Sequence, residues 1–221
     1  MTNINALTLN VTDIATAQAF YDKAFGLGDR LRFRAGDSPT SGFRGFVVSL
    51  VVADPTVADS FLLPAIEAGA TVLKPAKKSF WGYGGVVQAP DGAIWKVASS
   101  SKKPTGAPER EVDDLVLLLG VDDVAATKGF YVSRGFTVAK SFGRKYVEFE
   151  SDPNSIKLAL YGRKAAAKDA GVHPDGAGSH RLVIGGDAGE LTDPDGFTWA
   201  AAPRCRFSAG LSSTNWALSR S

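Results

Sequence analysis

The sequence has little of several features, and each shortage narrows the range of functions. Its single cysteine, Cys205, excludes an internal disulfide and is typical of a reducing compartment. No run of about 18 apolar residues exists, so we expect no membrane-spanning helix. The net charge of +2 is too small to indicate a nucleic acid or an anionic membrane as partner. The N-terminus lacks the basic and apolar regions of a secretion signal. We therefore expect a cytoplasmic protein.

Two strings recur in the same order. Residues 13–21 (DIATAQAFY) return as residues 123–131 (DVAATKGFY), and residues 89–95 (APDGAIW) return as residues 193–199 (DPDGFTW). Two separate matches indicate a duplicated unit, and a cleft between like halves is a natural ligand site. A Ser-, Lys-, Pro- and Gly-rich stretch near the middle reads as a linker. We expect a first domain at 1–100, a linker at 101–111, a second domain at 112–203 and a tail at 204–221.

Hydrophobic periodicity predicts a similar series of elements in each half. Alternating residues indicate a strand over Ala6–Val11, and two apolar runs indicate buried strands at Phe46–Val52 and Leu115–Val121. Helices are predicted after Asp13 and at residues 57–68, 123–134 and 164–170. The halves are unequally complete, because residues 34–45 leave no room for two further strands and residues 187–192 leave none for a helix.

These strings resemble the vicinal-oxygen-chelate superfamily, which contains glyoxalases, extradiol dioxygenases and bleomycin-type antibiotic-binding proteins. The shared features are a strand ending in Val-Thr-Asp, a helix with Ala-Phe-Tyr that ends in Phe-Gly-Leu, and Pro-Asp-Gly before a closing strand. The similarity covers roughly residues 4–202. It implies an α+β fold of tandem βαβββ modules in two glyoxalase-like domains. The mixed sheets would curl into half-barrels and hold a ligand in the cup between two modules.

The resemblance also shows where metal ligands would be. Metal-dependent members carry a histidine on the first strand of a module and a glutamate on its closing strand. The histidine positions correspond here to Ala6, Val47, Val116 and His180. The glutamate positions correspond to Lys96 and Ala200, and the strand at 156–160 offers only Lys157 and Ala159. A divalent ion needs about three nitrogen or oxygen ligands. The resemblance therefore implies the cup but no metal, and we expect no cofactor.

A glycine-aromatic loop contains the first candidates for ligand contact. Phe80, Trp81 and Tyr83 are interspersed with glycines, so their rings can stack on a flat ligand. The alternative is that Trp81 and Tyr83 cover the core where the loop crosses the sheet edge. Arg44 and Phe46 begin the central strand of the first half, close to the expected mouth of the cup.

Three further candidates come from the second half. His180 falls on a cup-facing position, where it would donate a hydrogen bond to a ligand or act as a base; a structural histidine is the alternative. Tyr146 and Glu148 share one face of a strand. They form a polar ligand wall if that face lines the cup, and are merely solvated if it faces outward. Trp95 and Trp199, in matching places of the repeat, are expected in the core.

Three functional hypotheses follow. The first is a metal-free protein, monomeric or homodimeric, that sequesters a hydrophobic aromatic compound, with an antibiotic as the expected ligand and self-resistance by drug binding as the role. The second is a metal-independent lyase or isomerase that uses His180, Tyr146 or Glu148 as acid and base. In the third, the chain's own side chains fill the cup and the protein serves in association. The first needs no catalytic residues.

Overall fold

The computed structural model describes residues 2–104 and 109–201. The expected tail at 204–221, which includes Cys205, and part of the expected linker lie outside the described residues. The described strands are Ile4–Val11 (β1), Leu31–Ala35 (β2), Thr40–Gly42 (β3), Phe46–Val51 (β4), Thr71–Ser79 (β5), Gly82–Gln88 (β6), Ile94–Ser99 (β7), Asp114–Val121 (β8), Val138–Phe142 (β9), Tyr146–Phe149 (β10), Lys157–Gly162 (β11), Gly176–Gly178 (β12), Leu182–Gly186 (β13), Leu191–Thr192 (β14) and Thr198–Ala201 (β15). The described α-helices are Ile14–Ala24 (α1), Pro55–Glu67 (α2), Val124–Ser133 (α3) and Arg163–Ala170 (α4).

The larger sheet has eight strands in the order β5-β6-β7-β4-β8-β11-β10-β9. It consists of two complete βαβββ modules, β4-α2-β5-β6-β7 and β8-α3-β9-β10-β11. The antiparallel pairing of β4 with β8 joins the modules, while β4 with β7 and β8 with β11 are parallel. This mixed α+β architecture confirms the predicted fold class, and no closed barrel is formed by the described residues.

The smaller sheet has five strands in the order β14-β15-β13-β1-β2. It combines two reduced modules, and its centre is the antiparallel pair of β1 and β13. Between β2 and β4 the chain forms only the three-residue strand β3, and no helix lies between β13 and β14, as the spacing predicts. Both sheets take strands from each half of the sequence. The segments 1–100 and 112–203, expected as two domains, are therefore interleaved rather than folded around separate sheets.

An aspartate begins each of the three longer helices. The side chain of Asp13 accepts a hydrogen bond from Thr16 N at 2.7 Å, and Asp54 and Asp123 cap α2 and α3 in the same manner. These bonds satisfy amide groups that a helix start otherwise leaves free. Helix α2 begins at Pro55, two residues before the predicted start, because proline suits the first helical turn. None of the helices in the described part of the chain combines the length and apolar character needed to cross a bilayer.

The repeated strings meet in the core as a duplicated hydrogen-bond chain. Trp95 Nε1 donates to the Tyr21 hydroxyl at 3.3 Å, which donates to Asp91 Oδ1 at 3.0 Å. In the second half Trp199 Nε1 donates to the Tyr131 hydroxyl at 3.2 Å. The Tyr131 hydroxyl in turn donates to a carboxylate at 2.6 Å, here that of Asp193. Both tryptophans are buried, as predicted. Each repeat thus links a helix to the closing strand of the following module.

Candidate ligand site beside helix α4

The two faces of the larger sheet differ in what covers them. Phe46, Val48 and Trp95 point into the main hydrophobic core. Val47 and Lys96 lie on the other face, which we call the cup face because it carries the positions that correspond to metal ligands in the family. Side chains alternate between faces along a strand, so the register of the sheet assigns its other residues to one face or the other.

Helix α4 covers the middle of the cup face. Its residues Ala166, Ala167 and Ala170 are buried against Val47 and against Val86, Ile94 and Leu118. Gly120 of β8 permits this approach, because a Cβ atom there would lie 3.2 Å from the Cβ atom of Ala166. The open cup expected from the sequence is therefore partly filled by a helix of the same chain.

Polar contacts hold α4 at both ends. Lys96 Nζ lies 2.7 Å from Asp169 Oδ2, and Lys74 Nζ donates to the carbonyl oxygens of Lys168 and Asp169 at 2.8 and 2.6 Å. A cation at the C-terminus of a helix is favoured by the helix dipole. At the other end, Arg163 Nη2 donates to Phe43 O at 2.7 Å. Helix α4 is thus held by β5 and β7 at its C-terminal end and by the segment before β4 at its N-terminal end.

The residues of the cup face do not fit a metal ion. Val47 lies beneath α4, Lys96 is paired with Asp169, and Ala159 is buried without a ligating atom. Among residues 2–104 and 109–201, no three His, Cys, Asp or Glu side chains group as metal ligands. On the larger sheet, the positions that correspond to metal ligands thus hold apolar side chains and lysines, and we assign no step to a metal.

His180 is fixed by contacts at both ring nitrogens. Its Nδ1 lies 2.5 Å from Arg44 O, its Nε2 lies 3.1 Å from Asp195 O, and its ring stacks on Phe197 with 3.9 Å between centroids. A neutral imidazole has one N–H group and one acceptor nitrogen, whereas both nitrogens here face carbonyl oxygens. Neither nitrogen is free to bind a metal or to transfer a substrate proton.

A cavity of about 290 Å³ lies on the part of the cup face that α4 leaves uncovered. Gly84 of β6 pairs with Lys77 and with Ala98 on either side, and Val86 pairs with Lys96. Paired residues share a face, so Gly84 and Ala98 form a floor without bulky side chains between two lysines. Lys74, Trp81 and Asp169 also belong to the lining. We call this cavity the open pocket.

The aromatic candidates occupy three different environments. Trp81 is 85% exposed at the tip of the β5–β6 hairpin, where the ring of Phe80 packs edge-on against it at 5.0 Å. Tyr83 donates from its hydroxyl to Asp59 Oδ1 on α2 at 2.7 Å, and burial, aided by this bond, raises the pKa of Tyr83 to about 12. Phe46 is 1% exposed in the main core. Of these side chains, only that of Trp81 stands at the open pocket with its ring free for a ligand.

The polar candidates divide between two other places. Tyr146 and Glu148 lie on the cup face of the second module, where the Tyr146 hydroxyl donates to Glu148 Oε2 at 3.0 Å. Burial and the Glu148 carboxylate raise the pKa of Tyr146. Arg44 and His180 line a separate cavity of about 380 Å³ together with Arg163. The structure therefore brings Arg44 and His180 together but does not bring either to Tyr146 and Glu148.

Residues that the sequence did not suggest also line the open pocket. Lys74 and Lys77 come from β5, whose three lysines follow no clear alternation, and Asp169 comes from α4. Alternation along β6 and β7 could have indicated Gly84 and Ala98, since both share a face with Lys96. No local signal pairs Asp169 with Lys96, because 73 residues separate them.

Comparisons with known proteins establish the fold. No protein-family model matches the sequence, and no curated protein matches it. Glyoxalase I from Zea mays is similar in structure with a TM-score of 0.59 and 14% identity, over 91% of this chain and 92% of that one. A putative dioxygenase from Bacillus subtilis gives a TM-score of 0.51 and 12% identity, over 83% of this chain and 69% of that one. At such identities the likeness concerns the fold, and the chain has the glyoxalase-like fold that the vicinal-oxygen-chelate resemblance implies.

Proposed function

We propose that this chain is a binding protein that holds a planar aromatic small molecule in the open pocket, without a metal ion. The observation that carries the proposal is what occupies the cup face. A lysine ion pair and a helix occupy the metal positions, while a cavity with a flat floor remains beside them. A protein that only binds its ligand needs a shaped cavity and a few polar groups, and no catalytic residue.

The shape of the open pocket favours a flat ligand. Its floor is made by Gly84 and Ala98, so a ring system can lie directly on the sheet. Trp81 offers an exposed ring at one end, and an aromatic contact of this kind contributes about 0.5–1.5 kcal/mol beyond area burial. A volume of about 290 Å³ lies near the lower end of small-molecule sites and suits a ligand of a few rings.

The lyase or isomerase hypothesis has less support from the geometry. His180 lines one cavity, whereas Tyr146 and Glu148 lie away from it on the cup face of the second module, and both nitrogens of His180 are engaged by carbonyl oxygens. General acid–base catalysis requires both groups within reach of one substrate. The association hypothesis is supported by the filling of the cup by α4, and it predicts that the open pocket binds no small molecule.

Fluorescence titration tests the proposal. The chain has four tryptophans, of which Trp95 and Trp199 are buried and Trp81 is exposed. We expect flat aromatic compounds, aromatic antibiotics among them, to quench the emission saturably and to be recovered unchanged. The Trp81→Phe variant should lose most of this signal. Absence of saturable binding across the panel would contradict the proposal, as would stoichiometric binding of Ni²⁺ or Zn²⁺ by the purified protein.

A further inference from the structure

We infer that the ligand of the open pocket is an aromatic carboxylate, and that Asp169 competes with its carboxylate for Lys96. This inference rests on the proposed binding function and names the ligand class. It depends on three observations: the charge of the lining, the position of the lysines around the floor, and the exposed ion pair at the edge of α4.

The lining of the open pocket carries an excess of positive charge. Lys74, Lys77 and Lys96 contribute three positive charges and Asp169 one negative charge, which gives 3 − 1 = +2. This equals the net charge of the whole chain of 221 residues. A concave site lined by one sign of charge concentrates ligands of the opposite sign. An uncharged aromatic compound would make no ion pair with these lysines.

The lysines stand where a ring substituent would reach them. Lys77 and Lys96 share the cup face with Gly84 and Ala98, and Lys96 lies two residues from Ala98 along β7. Residues two apart on a strand are separated by roughly 6.5 Å, which is less than the reach of a lysine side chain plus a carboxylate. In the described part of the chain, no carboxylate lies within ion-pair distance of Lys77.

Asp169 holds Lys96 in a contact that a ligand can replace. The side chains of Lys96 and Asp169 are 32% and 40% exposed, and their ion pair lies in the lining of the open pocket. Such pairs are stabilised only weakly because water screens them. A ligand carboxylate over the Gly84–Ala98 floor would offer Lys96 the same kind of acceptor, while aromatic contact with Trp81 adds attraction that Asp169 lacks.

A matched pair of probes tests the inference on the full chain. The probes are 2-naphthoate and 2-naphthamide, which share one ring system and differ in charge. We expect 2-naphthoate to bind about tenfold more tightly at low salt, as a charge-assisted contact allows, and the difference to shrink as sodium chloride is added. The Asp169→Asn variant should bind 2-naphthoate several-fold more tightly and 2-naphthamide equally well, because the ammonium group of Lys96 is released.

A neighbouring lysine supplies the control. Lys78 pairs with Tyr83, whose hydroxyl contacts α2, so Lys78 lies on the face opposite to Lys77. Lys77→Gln should weaken 2-naphthoate binding several-fold, and Lys78→Gln should leave it nearly unchanged. Equal affinity for the two probes would overturn the inference while leaving the proposed function intact. If neither probe binds, and the wider panel also fails, the proposed function itself is wrong. An unchanged affinity of Asp169→Asn for 2-naphthoate would overturn the inference that Asp169 competes with the ligand carboxylate for Lys96.

Discussion

The duplicated hydrogen-bond chain gives the sharpest stability prediction. Tyr131→Phe removes one hydroxyl and keeps the ring, which packs against Phe136, Phe149 and Trp199. The lost hydroxyl is a donor to Asp193 at 2.6 Å and an acceptor for Trp199 Nε1 at 3.2 Å. The change therefore removes one hydrogen bond to a carboxylate and leaves one buried N–H group without its partner.

The magnitude follows from those two losses. A hydrogen bond to a charged group contributes about 1.5–3 kcal/mol, and a buried unsatisfied group costs about 1–3 kcal/mol. The full sum of these two contributions is not expected, because the carboxylate of Asp193 keeps part of its stabilisation. Its Oδ1 atom still accepts hydrogen bonds from the backbone of Asp195 and Phe197. We expect Tyr131→Phe to lower the free energy of unfolding by about 2–4 kcal/mol. Such a loss is a large fraction of the stability of an ordinary domain.

The first repeat supplies a matched control. Tyr21→Phe removes the longer bond to Asp91, 3.0 Å, and Asp91 Oδ1 keeps its bond from Ala93 N. We expect about half the loss seen with Tyr131→Phe, measured by urea unfolding with circular dichroism and linear extrapolation. Adding Trp199→Phe to Tyr131→Phe should cost less than Trp199→Phe alone, since no unsatisfied N–H group remains. A loss below 1 kcal/mol for Tyr131→Phe, or a larger loss for Tyr21→Phe, would refute the reasoning.

Three further predictions concern pH, the ion pair and helix α4. Burial raises the pKa of Tyr21 and Tyr131, so the folded state keeps phenolic protons that the unfolded chain loses above about pH 10. Stability should therefore fall as pH rises past that value, and urea midpoints should show a shallower fall in Tyr131→Phe. A double-mutant cycle with Lys96→Met and Asp169→Asn should give a coupling of about 0.3–1 kcal/mol, because the pair is partly exposed; a coupling above 2 kcal/mol would contradict that account. Ala167→Leu should cost about 1–3 kcal/mol by overpacking beneath α4, whereas Lys164→Leu, on an exposed position of the same helix, should change thermal stability little.

The fold could be predicted from the sequence because its signals are local and repeated. Helices α1 and α3 begin directly after Asp13 and Asp123, within one residue of the predicted starts, and the tryptophans of the two closing strands are buried as their alternation indicates. The short spacing at residues 34–45 and 187–192 correctly indicated the reduced modules. Local periodicity and caps depend on neighbouring residues, so one sequence suffices to read them.

The division of the strands between the two sheets could not be predicted from these local signals. The sequence repeat divides the chain into two halves, whereas β1 pairs with β13 and β4 with β8 across that division. Each pairing buries an edge of one module against an edge of another. Hydrophobic patterns tell which strands are buried but not which edges meet.

The amino-acid sequence by itself determined that this chain builds glyoxalase-like modules and lacks most of the ligands that a metal in them would need. Only the tertiary structure decided what stands in their place. Residues 163–170 have the composition of a solvated helix, yet three alanines let them pack closely on the cup face, and Asp169 meets Lys96 across 73 residues. Such contacts form only when folding brings distant residues together. The open pocket, and the grouping of lysines around it, therefore exists only in the folded chain.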